Sequence, residues 1–514
     1  MKKPLEQRRI EISWFSGFLA LVSVLALTLF LAPSSRSQKA VIRHYRLFDI
    51  GTLGGPNSQP PSNSFTGLPT PSISNGGIFA GDAELDLPDP YAPACVNPDC
   101  IVSHAISWKD GVMTDLGTLP GPAGSTSVVS WVGPTGLIVG FSENGTFDPG
   151  ANGPAVIGAL WNGTRIAPLS PLRGGLESAA YAVNSSGIVV GISSNDVPDP
   201  NSLFGTSTQT RAVVWLNGEP HDLGTLGGTD AQAFYVNESG QIAGQSYTAD
   251  SIPPPNLHCS DDPLTLHAFF WEYGKMTDLN TFGGHCTFVY GMNNLGQLVG
   301  QSTTVDDATS LPFLWQNSHL APLPTVGGTY GYAVSISDVG EIAGITSALG
   351  DQALLATSWT GGHAKNLGTL PGNSCSLTDA INIRGQIVGG SGFDDAAFFP
   401  ACTDLVEHAV LWQNGQILDL NTFVPPGSDL TLNEAVFIND SGEIAGFGTL
   451  PNGNRHAFLL VPCQEYEDGC ELANPNFDPK TKHSSPAPLG TANRLRGRFS
   501  RPYRRFGAVQ PPTN

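Results

Sequence analysis

The chain has 514 residues, with 61 Gly, 41 Pro and only 13% charged residues. This excludes a coiled coil, and 40% hydrophobic with 9% aromatic residues exclude a long disordered polymer, since they suffice for a large core. Net charge is −20, yet residues 1–46 carry +6 and residues 473–514 carry +7; the body between them holds the remaining −33 and should repel nucleic acid.

At the N-terminus, Lys2, Lys3, Arg8 and Arg9 precede an uncharged, mostly apolar stretch from Trp14 to Ala32. A positive flank before an apolar run is an export signature. The run is long for a signal core and close to bilayer-spanning length, and Pro33-Ser34-Ser35 offers small residues but no clean cleavage site. Residues 1–40 are therefore read as either a signal peptide or an uncleaved membrane anchor. Both readings export the body, which would be secreted, at the cell surface or facing the periplasm, in an oxidising space.

Residues 41–463 are built from repeats. The phrase Gly-x-(Ile/Leu)-(Val/Ala)-Gly recurs, loosely in two copies, with its first Gly at Gly77, Gly136, Gly187, Gly240, Gly296, Gly340, Gly385 and Gly442. Asn184, Asn237, Asn293, Asn382, Asn439 and the weaker Ser337 stand three residues before it, so N-x-x-G reads as a tight turn between two strands, a and b. A second phrase, fullest in His267-Ala268-Phe269-Phe270-Trp271, gives strand c, and its Trp recurs at Trp108, Trp161, Trp215, Trp315, Trp359 and Trp412. A third, clearest in Thr114-Asp115-Leu116-Gly117, gives strand d, and its trailing Gly-Gly or Pro-Gly reads as a breaker.

Four short strands per unit, repeated about an axis, predict an all-β fold: an eight-bladed β-propeller of four-stranded blades. An open solenoid is the rival, since stacking also buries both sheet faces. The ends decide for the ring. Arg46–Gly55 is a lone strand d, and the eighth unit stops after strand c at His456–Leu460, with Leu460 in the Trp position. An N-terminal strand pairing with the C-terminal blade leaves no open edge.

Under this assignment the d–a and b–c connections share one rim. It holds Cys259 and Cys286, Cys375 and Cys402, and Cys95 with Cys100, while Cys463 and Cys470 flank an acidic loop after the last strand. Four disulfides are expected; the competing reading is a zinc site from His258, Cys259, His285 and Cys286. The long b–c insertions at 83–103, 142–158, 194–210 and 247–266 lie on the same rim, where binding usually sits. Residues 464–514 continue into a disordered basic tail with Arg494, Arg496, Arg498, Arg501, Arg504 and Arg505.

The set of H-A-F, D-L-G-T-L-G-G and I-N-x-x-G-x-I-V-G phrases resembles the HAF family of extracellular repeat proteins of bacteria, over residues 45–461. The resemblance implies export and a repeat-built body; it carries over no catalytic residue. No G-x-S-x-G, H-E-x-x-H, P-loop, EF-hand or sialidase Asp-box occurs. The His at the start of strand c reads as a hydrogen-bonded strand residue rather than a ligand. No catalytic residue, cofactor site or metal site is expected. The functional expectation is a monomeric, non-catalytic binding or adhesion scaffold, with an extracellular protein or glycan as partner and membrane contact only through the N-terminal segment. The alternative is a propeller hydrolase or lyase acting on extracellular polysaccharide, which a facing pair of carboxylates would favour.

Overall fold

The strands sit where the repeat's side chains require them. In the computed structural model the described residues are 44–62, 68–121, 124–200, 202, 203, 205–251, 264–307, 309–393, 406–463 and 470. Among them are 32 strands, two 3-10 turns and no α-helix. The strands form six four-stranded sheets and one of eight strands, in which two four-stranded units are joined through a parallel bridge between Leu266 and Cys286. Each unit is an antiparallel meander in the order a-b-c-d, and all-β architecture is thereby established.

Strand c aligns with strand b through one recurring pair. Trp108 lies opposite Phe79, Trp161 opposite Ile138, Trp215 opposite Val189 and Trp359 opposite Ile342. In the last unit Leu460 takes the Trp place opposite Ile444. Large aromatic against branched aliphatic is the favoured cross-strand pair, and Trp161, Trp215 and Trp359 are almost wholly buried between neighbouring sheets. The indole Nε1 of Trp215 donates to the Ser170 carbonyl and that of Trp359 to the Pro324 carbonyl, so their polar edges are satisfied inside.

The two glycines of the a–b phrase serve different ends. Gly187 has φ of +78° and open space where a Cβ would lie, so its backbone angle alone demands glycine. Gly191, four residues on, has ordinary φ, but a Cβ there would overlap the Ala179 carbonyl of strand a. Strand a bulges at this crossing, between Ala180 and Ala182 in this unit.

The strand His44–Asp49 pairs antiparallel with Arg455–Cys463, from His44 opposite Cys463 to Asp49 opposite Phe458. The first strand thus supplies strand d of the last unit. Two expectations need revision. The Gly-Gly pairs do not end elements: strands Gly227–Val236 and Gly283–Met292 begin on them. The 142–158 segment is not a loop, because strands Ile138–Asp148 and Gly153–Asn162 extend through it, pairing Glu143 with Val156 and Asp148 with Gly153. The apolar run 14–32 lies outside the described residues, among which no helix is long and apolar enough to cross a membrane.

Candidate functional site

Three repeated residues are committed to holding the sheets. In strand c, His104 Nδ1 donates to Asp115 at 2.9 Å, His267 to Asp278, and His408 to Asp419, the Asp standing at the end of strand d in a D-L-G phrase in the first case and a D-L-N phrase in the other two. The same carboxylates accept the N–H two residues on, Gly117 from Asp115 and Asn280 from Asp278, which closes the turn after strand d. His456 and Asp49 form the same dyad at 2.8 Å across the paired chain ends. In the third unit Arg211 replaces His and binds Asp222 at 2.9 Å. These histidines are hydrogen-bonded strand residues, as the sequence predicts.

The turn asparagines do more than shape their own hairpins. Asn184 Oδ1 accepts from Ser186 and Ile188, while its Nδ2 reaches across to the Asn237 carbonyl of the next unit. Asn237 continues to Asn293, Asn293 to Ser337, Asn382 to Asn439, and Asn439 to Ser74 of the first unit. Sequence reasoning missed this relay, because a turn side chain's contacts outside its own hairpin leave no local signal.

A cavity of about 250 Å³ opens among these turns, lined by strand-a ends and turn residues from each of the eight units. Its wall includes Trp131, Tyr235, Met292 and Phe437, and its rim Glu238, Asp338 and Asp440. Strand a is therefore the inner strand of each unit. Further along these strands lies a polar cluster. Asp379, of strand Cys375–Ile381, and Glu434, of strand Thr431–Ile438, come together from adjacent units, each shifting the other's carboxyl. Asp379 is 8% exposed, and its Oδ2 has no hydrogen-bond partner.

The electrostatics follow from this contact. Burial, and then the negative charge of Glu434, push the Asp379 carboxyl well above the carboxylate range. Burial also raises Glu434, partly offset by the Arg455 charge and the Asp379 hydrogen bond. Two carboxyls in contact cannot both ionise cheaply, so the pair holds one proton to higher pH than a lone carboxyl would. Arg455 stacks over the Phe447 ring at 3.4 Å. Tyrosines continue the cluster into the preceding units. Burial raises the Tyr332 hydroxyl, and the charges of Tyr330, Asp379 and Glu434 add to it. Tyr290 packs edge-on to Tyr332 with centroids 6.0 Å apart, its hydroxyl accepting from Gln301 Nε2 at 2.8 Å. Tyr235 donates to the Tyr290 carbonyl.

Of the expected disulfides, Cys95–Cys100 and Cys463–Cys470 are formed. Cys286 and Cys375 are disulfide-bonded as well. Their expected partners Cys259 and Cys402 lie outside the described residues, as does His258 of the competing zinc reading. Among the described residues no group of three or more His, Cys, Asp or Glu side chains is arranged to hold a metal ion.

No family profile and no curated protein matches the chain. Among solved structures it is similar to the β-propeller domain of the Trilobed protease from Pyrococcus furiosus, at 9% identity over 71% of this chain and 97% of that one, with a TM-score of 0.41. It is also similar to a PL25 ulvan lyase, at 11% identity over 81% and 95% with a TM-score of 0.33, and to Trypanosoma rangeli sialidase, at 10% over 80% and 59% with a TM-score of 0.31. Similarity at this level concerns the fold alone. The inner strands, however, hold a carboxyl pair that the sequence reading did not find, the feature expected to favour the hydrolase or lyase alternative. The expected non-catalytic scaffold is corrected accordingly.

Proposed function

We propose that the protein is an exported propeller enzyme that cleaves an extracellular polysaccharide by hydrolysis or elimination. In this reading eight four-stranded blades close around the turn-lined cavity, with the strand His44–Asp49 completing the last blade. Supporting closure are its pairing with Arg455–Cys463, the Asn439-to-Ser74 hydrogen bond, and a cavity wall drawn from all eight units. The disulfides support an oxidising compartment. The HAF-type repeats of the sequence are the blades of this ring.

The observation that carries the activity is the Asp379–Glu434 pair. Glycosidic cleavage needs a group that can give a proton to the leaving oxygen and another that can take one. Burial and mutual repulsion keep one carboxyl of this pair protonated while its neighbour remains the acceptor. Because the two carboxyls act directly on one another, the pair works as one proton-sharing unit on one side of the bond rather than as an acid and a base flanking it. Tyr332 and Tyr290 offer aromatic surface beside it.

The test is incubation of the purified protein with a panel of neutral, amino and acidic polysaccharides, following new reducing ends for hydrolysis and unsaturated uronates for elimination. Cleavage lost in both Asp379→Asn and Glu434→Gln, with unaltered melting, supports the reading. Cleavage that survives both substitutions, or no cleavage across the panel, refutes it.

A further inference from the structure

We infer that the cavity among the a–b turns is a sugar subsite for a non-anionic glycan end and favours a residue bearing a protonated amine. This deepens the polysaccharide reading of the same inner strands, and rests on it for the chemistry but not for the binding.

Charge is the first argument. The cavity is lined by Glu238, Asp338 and Asp440 and by no Lys, Arg or His. These carboxylates are held in place: Glu238 accepts from the Ser185 N–H, Asp338 from Asn294, and Asp440 from the Ile383 N–H. Arg384, on the same side, is tied to the Asp440 carbonyl. Proteins grip uronates and sulfates with Arg or Lys forks, and an anionic sugar would find none here. It would instead meet fixed negative charge at the rim, where Glu238, Asp338 and Asp440 are all exposed, so the repulsion is strongest at low salt.

Shape is the second argument. Trp131 and Tyr235 meet edge to face, with centroids 6.0 Å apart, and Phe437 lies on the strand that carries Glu434. Such a wall suits the apolar faces of a pyranose and, through ring quadrupoles, a cation. At about 250 Å³ the space falls just below the ~300–1,000 Å³ of small-molecule sites, so it holds a chain end rather than a passing polymer. Ile381 lines this space, and Asp379 lies two residues inward on the same strand, 8% exposed and with Oδ2 unpartnered.

A non-anionic sugar in this cavity also selects the chemistry. Elimination needs a uronate, whose carboxyl acidifies the proton to be removed; a non-anionic sugar leaves hydrolysis. There the protonated carboxyl of the Asp379–Glu434 pair delivers its proton to the leaving oxygen as the C–O bond breaks; water then enters from the same side once the leaving group has gone, its oxygen bonds to the anomeric carbon, and the pair takes the water's proton, which restores its starting state.

Binding to full-length Asp379→Asn, by calorimetry, separates recognition from cleavage. The probes are a β-1,4-glucosamine oligomer, its N-acetylated form, a neutral β-glucan oligomer and a polyuronate oligomer. Expected is tightest binding of the amine, weaker binding of the two uncharged oligomers, and none of the uronate. In Asp440→Asn the preference for the amine over its acetylated form should fall roughly fivefold, the loss of about one charge contact. Trp131→Ala should weaken all binders. Uronate bound as tightly as the neutral oligomer, or no oligomer bound, overturns the inference. Amine binding without cleavage by the wild type upholds the subsite and removes the catalytic reading instead.

Discussion

The outer and inner strands of a unit obey opposite rules. Strands c and d repeat the same side chains from unit to unit, and those side chains are spent on one another: His408 on Asp419, Trp215 on Ser170. Strand a keeps its backbone and changes its side chains. Three residues before the turn residue stand Tyr181, Phe234, Tyr290, Val334, Asp379 and Val436; five before it stand Ala179, Gln232, Phe288, Tyr332, Leu377 and Glu434. A repeat protein must reuse whatever builds the unit, and can vary only what the unit does not need. The acids at 379 and 434 are inner residues that no other unit shares at those positions.

The sharpest way to break this comparison is at the pair itself. Asp379→Asn or Glu434→Gln should lower kcat on the cleaved polysaccharide by at least ~100-fold while Tm stays level or rises, because each removes one of two acids that repel one another. A drop in Tm with kcat retained would make the pair structural and erase the distinction.

Next in size is the repeated glycine. Gly191→Ala should cost about 3 kcal/mol through overlap with the Ala179 carbonyl, against about 1 kcal/mol for Gly187→Ala, whose penalty is only its φ. Denaturant midpoints of the two variants decide it, and equal losses would disprove the division of labour between the two glycines.

The pH dependence sharpens the contrast, since buried acids of strands a and b and the half-exposed acid of strand d shift in opposite directions. Burial raises Asp82 to about 8 and Asp230 to about 7, both from 3.8. Between those limits the folded state holds protons that the unfolded chain has released, so stability falls as pH rises from about 4 to 8. Asp115 goes the other way: burial raises it, but the His104 and Gly117 hydrogen bonds and the His104 charge outweigh this and lower it. Its stabilisation is present above the ordinary aspartate range and lost as pH falls through the depressed value. Melting curves of Asp82→Asn should therefore gain on the wild type at pH 9 and match it at pH 4. An equal gain at both pH values would mean that the Asp82 burial is not the cause.

The smallest effect is expected at the outer dyads. His408→Ala should cost about 1–2 kcal/mol and His104→Ala less, since Asp115 is 42% exposed and Asp419 only 9%. Polysaccharide turnover should be unchanged in both, and a fall in turnover with stability intact would place a functional group on the outer strands.

Much of this fold was legible because its determinants are local and repeated. The Trp register, the N-x-x-G turns and the stray strand d at Arg46–Gly55 each carry their reason in a few neighbouring residues. The inner face was not. A bulge shifts the pairing between Thr378 and Ala380, and two more between Leu432 and Glu434 and between Ala435 and Phe437. Simple alternation therefore fails to say which residues of strand a face inward. The available signal was negative: an acid at 379 and at 434 where other units place aromatic, aliphatic or amide side chains. The loop-rich rim drew attention instead, and part of its length proved to be hairpin.

The pairing of His44–Asp49 with Arg455–Cys463 also sets an order of events. The strand made first is docked last, after some 400 residues of intervening chain have been synthesised. Until then Tyr45, wholly buried at the end, must wait in solvent, and the last unit stays three-stranded. Long-range pairing of this kind is slow to form and leaves an edge open to other chains meanwhile. Refolding from denaturant should accordingly end in a late phase that a peptide spanning residues 43–50, added in trans, competes with.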